Sequence, residues 1–225
     1  LFRSAILDNL PWDWQTFPEF LDSVQRMRPA LNIVGMVGHC AVRYHVMGER
    51  ALSDEVPSRA ELEVMAAVAE ESIAGGAVGY STSRLLGHVV PAGRAVPGTY
   101  SSIPEYLAIA DGMNRAGGGI FQAVLDFDTK AAHEFQLLRA MAERAGDVLF
   151  SGGVGTDVEA APGVVEGFDR FLGETRAVAG RITSIAMTRP SGMLMGLVQV
   201  PPVTGPAWKA VMSLASRSEK HTSEL

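Results

Sequence analysis

The chain has 225 residues, of which 47% are apolar and 20% charged, a composition typical of a globular protein with a sizeable core. The net charge of −6 and the scattered Lys and Arg side chains argue against nucleic-acid binding, which needs a clustered basic surface. The longest apolar runs are too short to span a bilayer, and the single cysteine, Cys40, excludes an internal disulfide. We therefore predict a cytoplasmic location, no membrane partner and no nucleic-acid partner.

The first half of the chain alternates amphipathic helices with apolar strands. Thr16 and Glu19 have the spacing of a capping box, which predicts a helix over 16–27. The nearly continuous apolar run over 31–37 predicts a strand buried on both faces. Ser58 and Glu61 repeat the capping-box spacing and predict a second helix. It ends at a Gly-Gly pair, before a short strand over 77–81.

The same alternation continues to the end of the chain. Helices are predicted over 102–116, 129–145 and 164–178, and strands over 119–125, 148–150 and 182–187. This rhythm favours a parallel sheet with right-handed crossovers, in either an open doubly wound sheet or a (β/α)8 barrel. No G-x-G-x-x-G follows the first strand, and five strands are too few to close a barrel. The predicted fold class is therefore α/β, a partial (β/α)8 barrel of the TIM type.

Both ends of the sequence predict a piece of a longer protein. The chain begins at Leu1 without a Met, and residues 1–10 lack the charged and apolar regions of a signal peptide. Residues 216–225 turn abruptly polar and resemble translated adaptor sequence, so we assign them to a non-native tail. Residues 1–215 are assigned to one incomplete barrel domain.

In parallel α/β folds the active site lies at the carboxyl ends of the strands. The first predicted strand ends at Gly38 and is followed by His39 and Arg43, where the imidazole could bind metal or a substrate carbonyl. A histidine that stabilises its own loop remains the alternative. Cys40 is more often a small buried hydrophobe than a zinc ligand, and its spacing from His39 and His45 is not a zinc pattern.

The next two strand ends carry further candidates. Ser83 and Arg84 follow the second strand, and His88 lies on the same loop of about twenty residues, which is long enough to suggest a function. A guanidinium can hold a carboxylate in two parallel bonds, which favours Arg84. Asp126 and Asp128 follow the third strand and, on an extended chain, could share a metal or a proton. Asp128 could instead cap the next helix. The predicted substrate-binding residues are His39, Arg43, Ser83, Arg84, His88 and Asp126.

Four segments occur in the order found in one enzyme family: WDWQTFPEFLD (12–22), NIVGMVGHCAVRYHVMG (32–48), GAVGYSTSR (76–84) and AGGGIFQ (116–122). Together they resemble the N-acyl-D-amino-acid deacylase branch of the metal-dependent amidohydrolases. The resemblance implies a (β/α)8 barrel and zinc-assisted hydrolysis of the amide bond of an N-acyl amino acid. It also implies a general-base aspartate, outside this chain, that acts on a metal-bound water.

The resemblance also implies two zinc-binding histidines inside this chain, but Val124 and Gly152 stand at the aligned positions. We therefore expect the zinc ligands to lie mostly outside the segment, and we expect the segment alone to be inactive. The substrate expected for the full-length enzyme is a small N-acyl amino acid. The alternatives are a cyclic amidase on the same barrel, or a barrel that has lost catalysis and serves as a binding or assembly subunit.

Overall fold

The computed structural model describes residues 11–90, 93–152, 164–176 and 181–185, all within one compact unit, Leu1–Ile185. Five strands form one parallel sheet: β1 (Met36–Gly38), β2 (Gly79–Ser83), β3 (Ile120–Leu125), β4 (Val148–Gly152) and β5 (Ile182–Ser184). The helices are α1 (Phe17–Arg26), α2 (His39–Met47), α3 (Arg59–Ala74), α4 (Ile103–Arg115), α5 (Phe127–Arg144) and α6 (Val164–Arg176). A 3-10 helix, Gly48–Leu52, separates α2 from α3. Among the described residues, no helix is long and apolar enough to cross a membrane.

The strands are ordered β1-β2-β3-β4-β5, so each strand pairs with its neighbours in the chain. A doubly wound sheet reverses direction at a switch point, whereas a barrel adds strands consecutively. The observed order therefore confirms a partial barrel. The register sets Gly38 beside Ser81, Ser83 beside Val124, and Val124 beside Ser151.

Two faces of the sheet follow from the alternation of side chains. One face is buried under the helices and forms the core with Tyr80, Phe121, Leu125, Phe150 and their neighbours. The other face, called here the open face, is partly exposed and carries Met36, Gly38, Ser81, Ser83, Gln122, Val124, Leu149 and Ser151. Ser83, Val124 and Ser151 are the open-face residues at the carboxyl ends of their strands.

Both predicted capping boxes are confirmed. Thr16 and Glu19 cap α1 reciprocally, and Ser58 and Glu61 cap α3 in the same way. The predicted strand over 31–37 is wrong for most of its length, because β1 begins only at Met36. Among the described strands, β1 pairs with β2 alone, so the apolar residues before it have no strand to pair with and stay exposed.

Candidate functional site

The six predicted substrate-binding residues fall into two groups in the structure. His39, Arg43 and Arg84 are at most 3% exposed and lie on the helix-covered side of the sheet. Ser83 and His88 lie at the carboxyl end of β2, where Ser83 is partly exposed on the open face and His88 is exposed on the loop. Asp126 is buried at the end of β3. The structure thus separates a buried polar network from an accessible strand end.

His39 is the first residue of α2, and its side chain turns towards β2 and α4. Its Nε2 lies 2.9 Å from Oε1 of Glu105, and its Nδ1 lies 3.0 Å from Oγ1 of Thr82. Complete burial lowers the pKa of His39, against the opposing effect of the Glu105 carboxylate. In the neutral ring, Nε2–H donates to Glu105 and Nδ1 accepts from the Thr82 hydroxyl. The surroundings of His39 therefore stabilise the neutral form of its imidazole.

Glu105 connects His39 with Arg43. The Arg43 guanidinium donates to Oε2 of Glu105 and, at 3.1 Å, to the hydroxyl of Ser101. A second guanidinium nitrogen donates to the carbonyl of Glu55 at 2.6 Å. Burial raises the pKa of Glu105, but the bonds from His39 and Arg43 outweigh it and leave the pKa below its usual value. Glu105 is therefore an ionised, fully paired carboxylate.

Arg84 forms the second buried ion pair. Its Nε lies 3.0 and 2.9 Å from the two carboxylate oxygens of Glu134 on α5, and its Nη1 donates to the carbonyl of Ser101 at 2.6 Å. Nη2 contacts Nδ1 of His133 at 3.2 Å, and the guanidinium lies 5.7 Å from the Tyr106 ring centre. Sequence reasoning predicted that this guanidinium would bind a substrate carboxylate, but in the structure a carboxylate of the same chain occupies it. The geometry favours a supporting role for Arg84.

The two arginines fix the base of the loop between β2 and α4. Arg84 stands at the start of that loop, Ser101 stands near its end, and both arginines bond to Ser101. Gly98, on the same loop, has a φ of +99° and accepts the Tyr106 hydroxyl at its carbonyl. A side chain at Gly98 would also run into the His39 ring. The buried network thus determines the path of the loop.

On the accessible side, Ser83 and His88 form a direct hydrogen bond. The Ser83 hydroxyl lies 2.6 Å from Nδ1 of His88. The His88 backbone is held in turn, because its N–H donates to Leu85 and its carbonyl accepts from Val96. A serine and a histidine predicted separately from the sequence are therefore one pair in the structure.

Asp126 directly follows β3 and contacts the same loop. Its Oδ2 accepts the backbone N–H of Leu86 at 3.4 Å. The expectation of an extended chain from Asp126 to Asp128 is wrong, because α5 begins at Phe127. For the same reason Asp128 lies within the first turn of α5 and does not occupy the cap position before it.

Glu105 and Glu134 belong to the buried polar network, and sequence reasoning did not predict either of them. Ser102 and Glu105 have capping-box spacing, yet Ser102 makes no cap bond and the Glu105 side chain turns into the core. A usable signal was the arginines themselves, since Arg43 and Arg84 near buried strand ends each require a carboxylate partner.

Cys40 does not behave as a ligand in this structure. Its thiol donates to the carbonyl of Pro97 at 3.0 Å, and burial raises its pKa, which disfavours the thiolate that binds metals. Within the described residues, no group of three or more His, Cys, Asp or Glu side chains could hold a metal ion. The described part of the chain therefore does not by itself fit a zinc site.

Val124 and Gly152 are the two positions at which the sequence resemblance implies zinc-binding histidines. The strand register shows which face of the sheet each of them occupies. Val124 lies on the open face, and its neighbour on β4 is Ser151. Gly152 pairs with Leu125, which belongs to the covered face. The open-face position beside Val124 is thus Ser151, not Gly152. Neither an isopropyl group nor a serine hydroxyl is a usual zinc ligand.

Five consecutive parallel strands, with the long loop and the polar strand ends on one side, define a segment of a (β/α)8 barrel. Within that class, the chain is similar to the D-aminoacylase branch of the amidohydrolases. D-aminoacylase from Alcaligenes xylosoxydans xylosoxydans is 38% identical over 71 residues, which are 31% of this chain and 14% of that protein. No family model matches the chain.

Solved structures agree on the fold. A D-aminoacylase structure described as defining a novel subset of amidohydrolases superposes with a TM-score of 0.59 at 20% identity, over 76% of this chain and 33% of that one. N-acyl-D-glutamate deacylase from Bordetella bronchiseptica superposes with a TM-score of 0.53 at 17% identity, over 75% of this chain and 33% of that one. The chain therefore spans about a third of the length of these solved relatives.

Proposed function

We propose that this chain is the central part of a longer amidohydrolase that cleaves the amide bond of N-acyl amino acids. The observation that carries the proposal is the consecutive parallel sheet, with polar side chains at its carboxyl ends in the positions where barrel enzymes bind substrate. The similarity to a D-aminoacylase and to an N-acyl-D-glutamate deacylase supports the substrate class. A small-molecule substrate and a cytoplasmic location belong to the same proposal.

Within this function the six candidate residues divide their roles. Ser83 and His88 are accessible and contribute the substrate contacts of this segment. Arg43, Arg84 and His39 act as positioning residues, because each is buried and bonded within the chain. Asp126 fixes the start of the loop through its bond to Leu86.

Zinc is proposed for the longer protein, with its ligands outside the described residues. The related structures are described as containing zinc, copper and a binuclear metal centre, which supports a metal in this branch. The test is metal analysis of the protein encoded by the longest open reading frame that contains this chain. At least one zinc per chain is expected, and less than a tenth of a zinc per chain after purification with added zinc would contradict the proposal.

The substrate proposal is tested with the same zinc-loaded protein. Release of free amine is measured from N-acetyl derivatives of D- and L-amino acids that carry acidic, apolar and polar side chains. Hydrolysis of at least one member, lost on chelation, is expected. Hydantoin and dihydrouracil are included, because a preference for these rings identifies the cyclic-amidase alternative. No hydrolysis of any N-acyl amino acid would reject the substrate class.

A second candidate function is a barrel that has lost catalysis and serves as a binding or assembly subunit. Val124 and Ser151 favour it, because they leave the two open-face strand ends without a metal ligand. This candidate predicts no stoichiometric metal and no amide hydrolysis, together with tight binding of an N-acyl amino acid or of a protein. Metal analysis therefore discriminates between the two functions.

A further inference from the structure

The loop between β2 and α4 has an outer part and an inner part. The outer part, 85–90 and 93–95, is mostly exposed and carries His88. The inner part, called here the strap, is 96–101, and Tyr100 is its one exposed residue. The strap lies against the His39 ring, because a Cβ added at Gly98 would come within 2.6 Å of Nδ1 of that ring. The strap is therefore the part of the loop that the buried network contacts directly.

Three side chains bind backbone carbonyl groups of the strap. They are the thiol of Cys40 on Pro97 at 3.0 Å, the hydroxyl of Tyr106 on Gly98 at 3.0 Å, and the guanidinium of Arg84 on Ser101 at 2.6 Å. A thiol is a weak donor, and Arg84 holds only the last residue of the strap. Tyr106 is thus the strong donor at the middle of the strap.

The surroundings of Tyr106 fix its hydroxyl as a donor. The hydroxyl lies 3.1 Å from Oγ1 of Thr82, and this threonine directs its own proton to the neutral His39 ring. The Thr82 oxygen and the Gly98 carbonyl are therefore both acceptors for the Tyr106 proton. Burial raises the pKa of Tyr106, which keeps the hydroxyl protonated. The buried network thus holds the Tyr106 O–H as a donor to the strap.

The strap is bonded in turn to the outer part of the loop. Val96, two residues before Gly98, donates its N–H to the carbonyl of His88 at 3.1 Å. The ring of His88 then contacts the Ser83 hydroxyl, with 2.6 Å between Nδ1 and Oγ. A continuous path of hydrogen bonds and chain therefore connects the buried Tyr106 with the accessible end of β2.

We propose that Tyr106 is a positioning residue, whose hydroxyl sets, through the strap, where His88 lies beside Ser83. The proposal deepens the function proposed above and rests on it, because Ser83 and His88 are the substrate contacts of this segment there. Tyr106 is fully buried, so it acts on substrate binding and leaves the metal-assisted attack of water to other groups. Loss of its hydroxyl should therefore raise KM with little change in kcat, as expected when binding is weakened equally in the ground state and the transition state.

Tyr106→Phe and Tyr80→Phe are the matched variants, made in the zinc-loaded protein from the longest open reading frame. Both tyrosines are fully buried, and their ring centres lie 4.9 Å and 5.7 Å from that of His39. The Tyr80 hydroxyl has no hydrogen-bond partner among the described residues, whereas that of Tyr106 binds the strap.

Hydrogen–deuterium exchange of the amides of 85–101, followed by mass spectrometry, measures how firmly the loop is held. Tyr106→Phe is expected to speed this exchange roughly threefold to tenfold, as the loss of one hydrogen bond would, and to leave the peptides of α3 unchanged. Tyr80→Phe should leave the exchange of both regions unchanged.

The kinetic test uses the N-acyl amino acid that the protein hydrolyses fastest. Tyr106→Phe is expected to raise KM roughly threefold to tenfold and to keep kcat within about twofold, and Tyr80→Phe should change neither constant. A merely structural role of Tyr106 would instead lower kcat and the zinc content together, through loss of folded protein, with KM unchanged.

Val96→Pro tests the path independently, because it removes the N–H that binds the His88 carbonyl at a partly exposed site. It should raise KM by itself, and Tyr106→Phe should add nothing in that background. Unchanged loop exchange in folded Tyr106→Phe, or additive effects of the two substitutions on KM, overturns the proposal. If Tyr106→Phe does not fold, unchanged loop exchange in Val96→Pro overturns it. A wild type that hydrolyses no N-acyl amino acid rejects the proposed function, whereas the exchange result still decides whether Tyr106 positions the loop.

Discussion

At the scale of single residues, two buried arginines of the described part of the chain are each paired with a buried carboxylate. Arg43 is paired with Glu105 and Arg84 with Glu134, all at most 3% exposed, so the Glu105 carboxylate that His39 contacts already has a counter-charge. Burial therefore keeps His39 neutral, and its two ring nitrogens bond to Glu105 and Thr82. The charge state of His39 thus follows from the residues around it, not from the bulk pH.

The lowered pKa of His39 makes stability pH-dependent. Unfolding exposes His39 and restores a pKa near 6.5, so below that pH the unfolded chain binds a proton that the folded chain does not. The contribution of His39 to the free energy of unfolding is fully present above about pH 6.5 and is lost as the pH falls below that value. The free energy of unfolding then falls by at most about 1.4 kcal/mol per pH unit. Urea unfolding between pH 7.5 and 5.5 measures the slope. His45→Gln should preserve it, and a flat profile in the wild type would contradict the prediction.

Glu105→Gln tests the buried pair directly. The substitution leaves the Arg43 guanidinium buried without a counter-charge, so we expect a loss of roughly 3–5 kcal/mol of unfolding free energy. Glu63→Gln is the matched control, because Glu63 pairs with Arg59 on the solvent-exposed side of α3 and should show no measurable change. Equal urea midpoints for the two variants would mean that the buried pair adds nothing to stability.

At the scale of elements, local rules predicted what depends on a few neighbouring residues. The caps of α1 and α3 were predictable because a capping box is complete within four residues. The start of β1 was not, because it is set by pairing with β2, some forty residues away. The partners of Arg43 and Arg84 also escaped prediction, because Glu105 and Glu134 lie on helices that only the folded chain brings close.

The packing of α3 on α4 gives a prediction at this scale. Gly112 on α4 lies so close to α3 that an added Cβ would clash with the carbonyl oxygen of Ala66. Gly112→Ala should therefore destabilise the fold by roughly 1–3 kcal/mol, the usual cost of overpacking. Gly173→Ala on α6, where a Cβ meets nothing within 4 Å, should instead stabilise by about 0.5–1 kcal/mol. Thermal unfolding measures both, and a change of the same sign in both variants would contradict this account.

At the scale of the whole molecule, β1 pairs with β2 alone among the described strands, which leaves its other edge without a described partner. Leu31, Ile33 and Val34 precede β1 and are 79%, 54% and 74% exposed. Apolar side chains next to an unpaired strand edge favour association. In a longer protein that closes the barrel, we expect a neighbouring strand and its helix to cover this segment.

The edge predicts opposite effects of one double substitution in two contexts. In the 225-residue chain alone, Leu31→Lys with Val34→Lys should reduce association, because it adds charge to the exposed edge. In the protein from the longest open reading frame, the same change should destabilise the fold by several degrees, because the lysines would be buried against the next strand. Val56→Lys, in a loop and 71% exposed, is the control that should do neither.

Sedimentation velocity measures association, and calorimetry measures stability. If the double variant left the longer protein as stable as the wild type, the segment before β1 would not be covered. That result would contradict the hypothesis that a neighbouring strand closes the barrel at this edge.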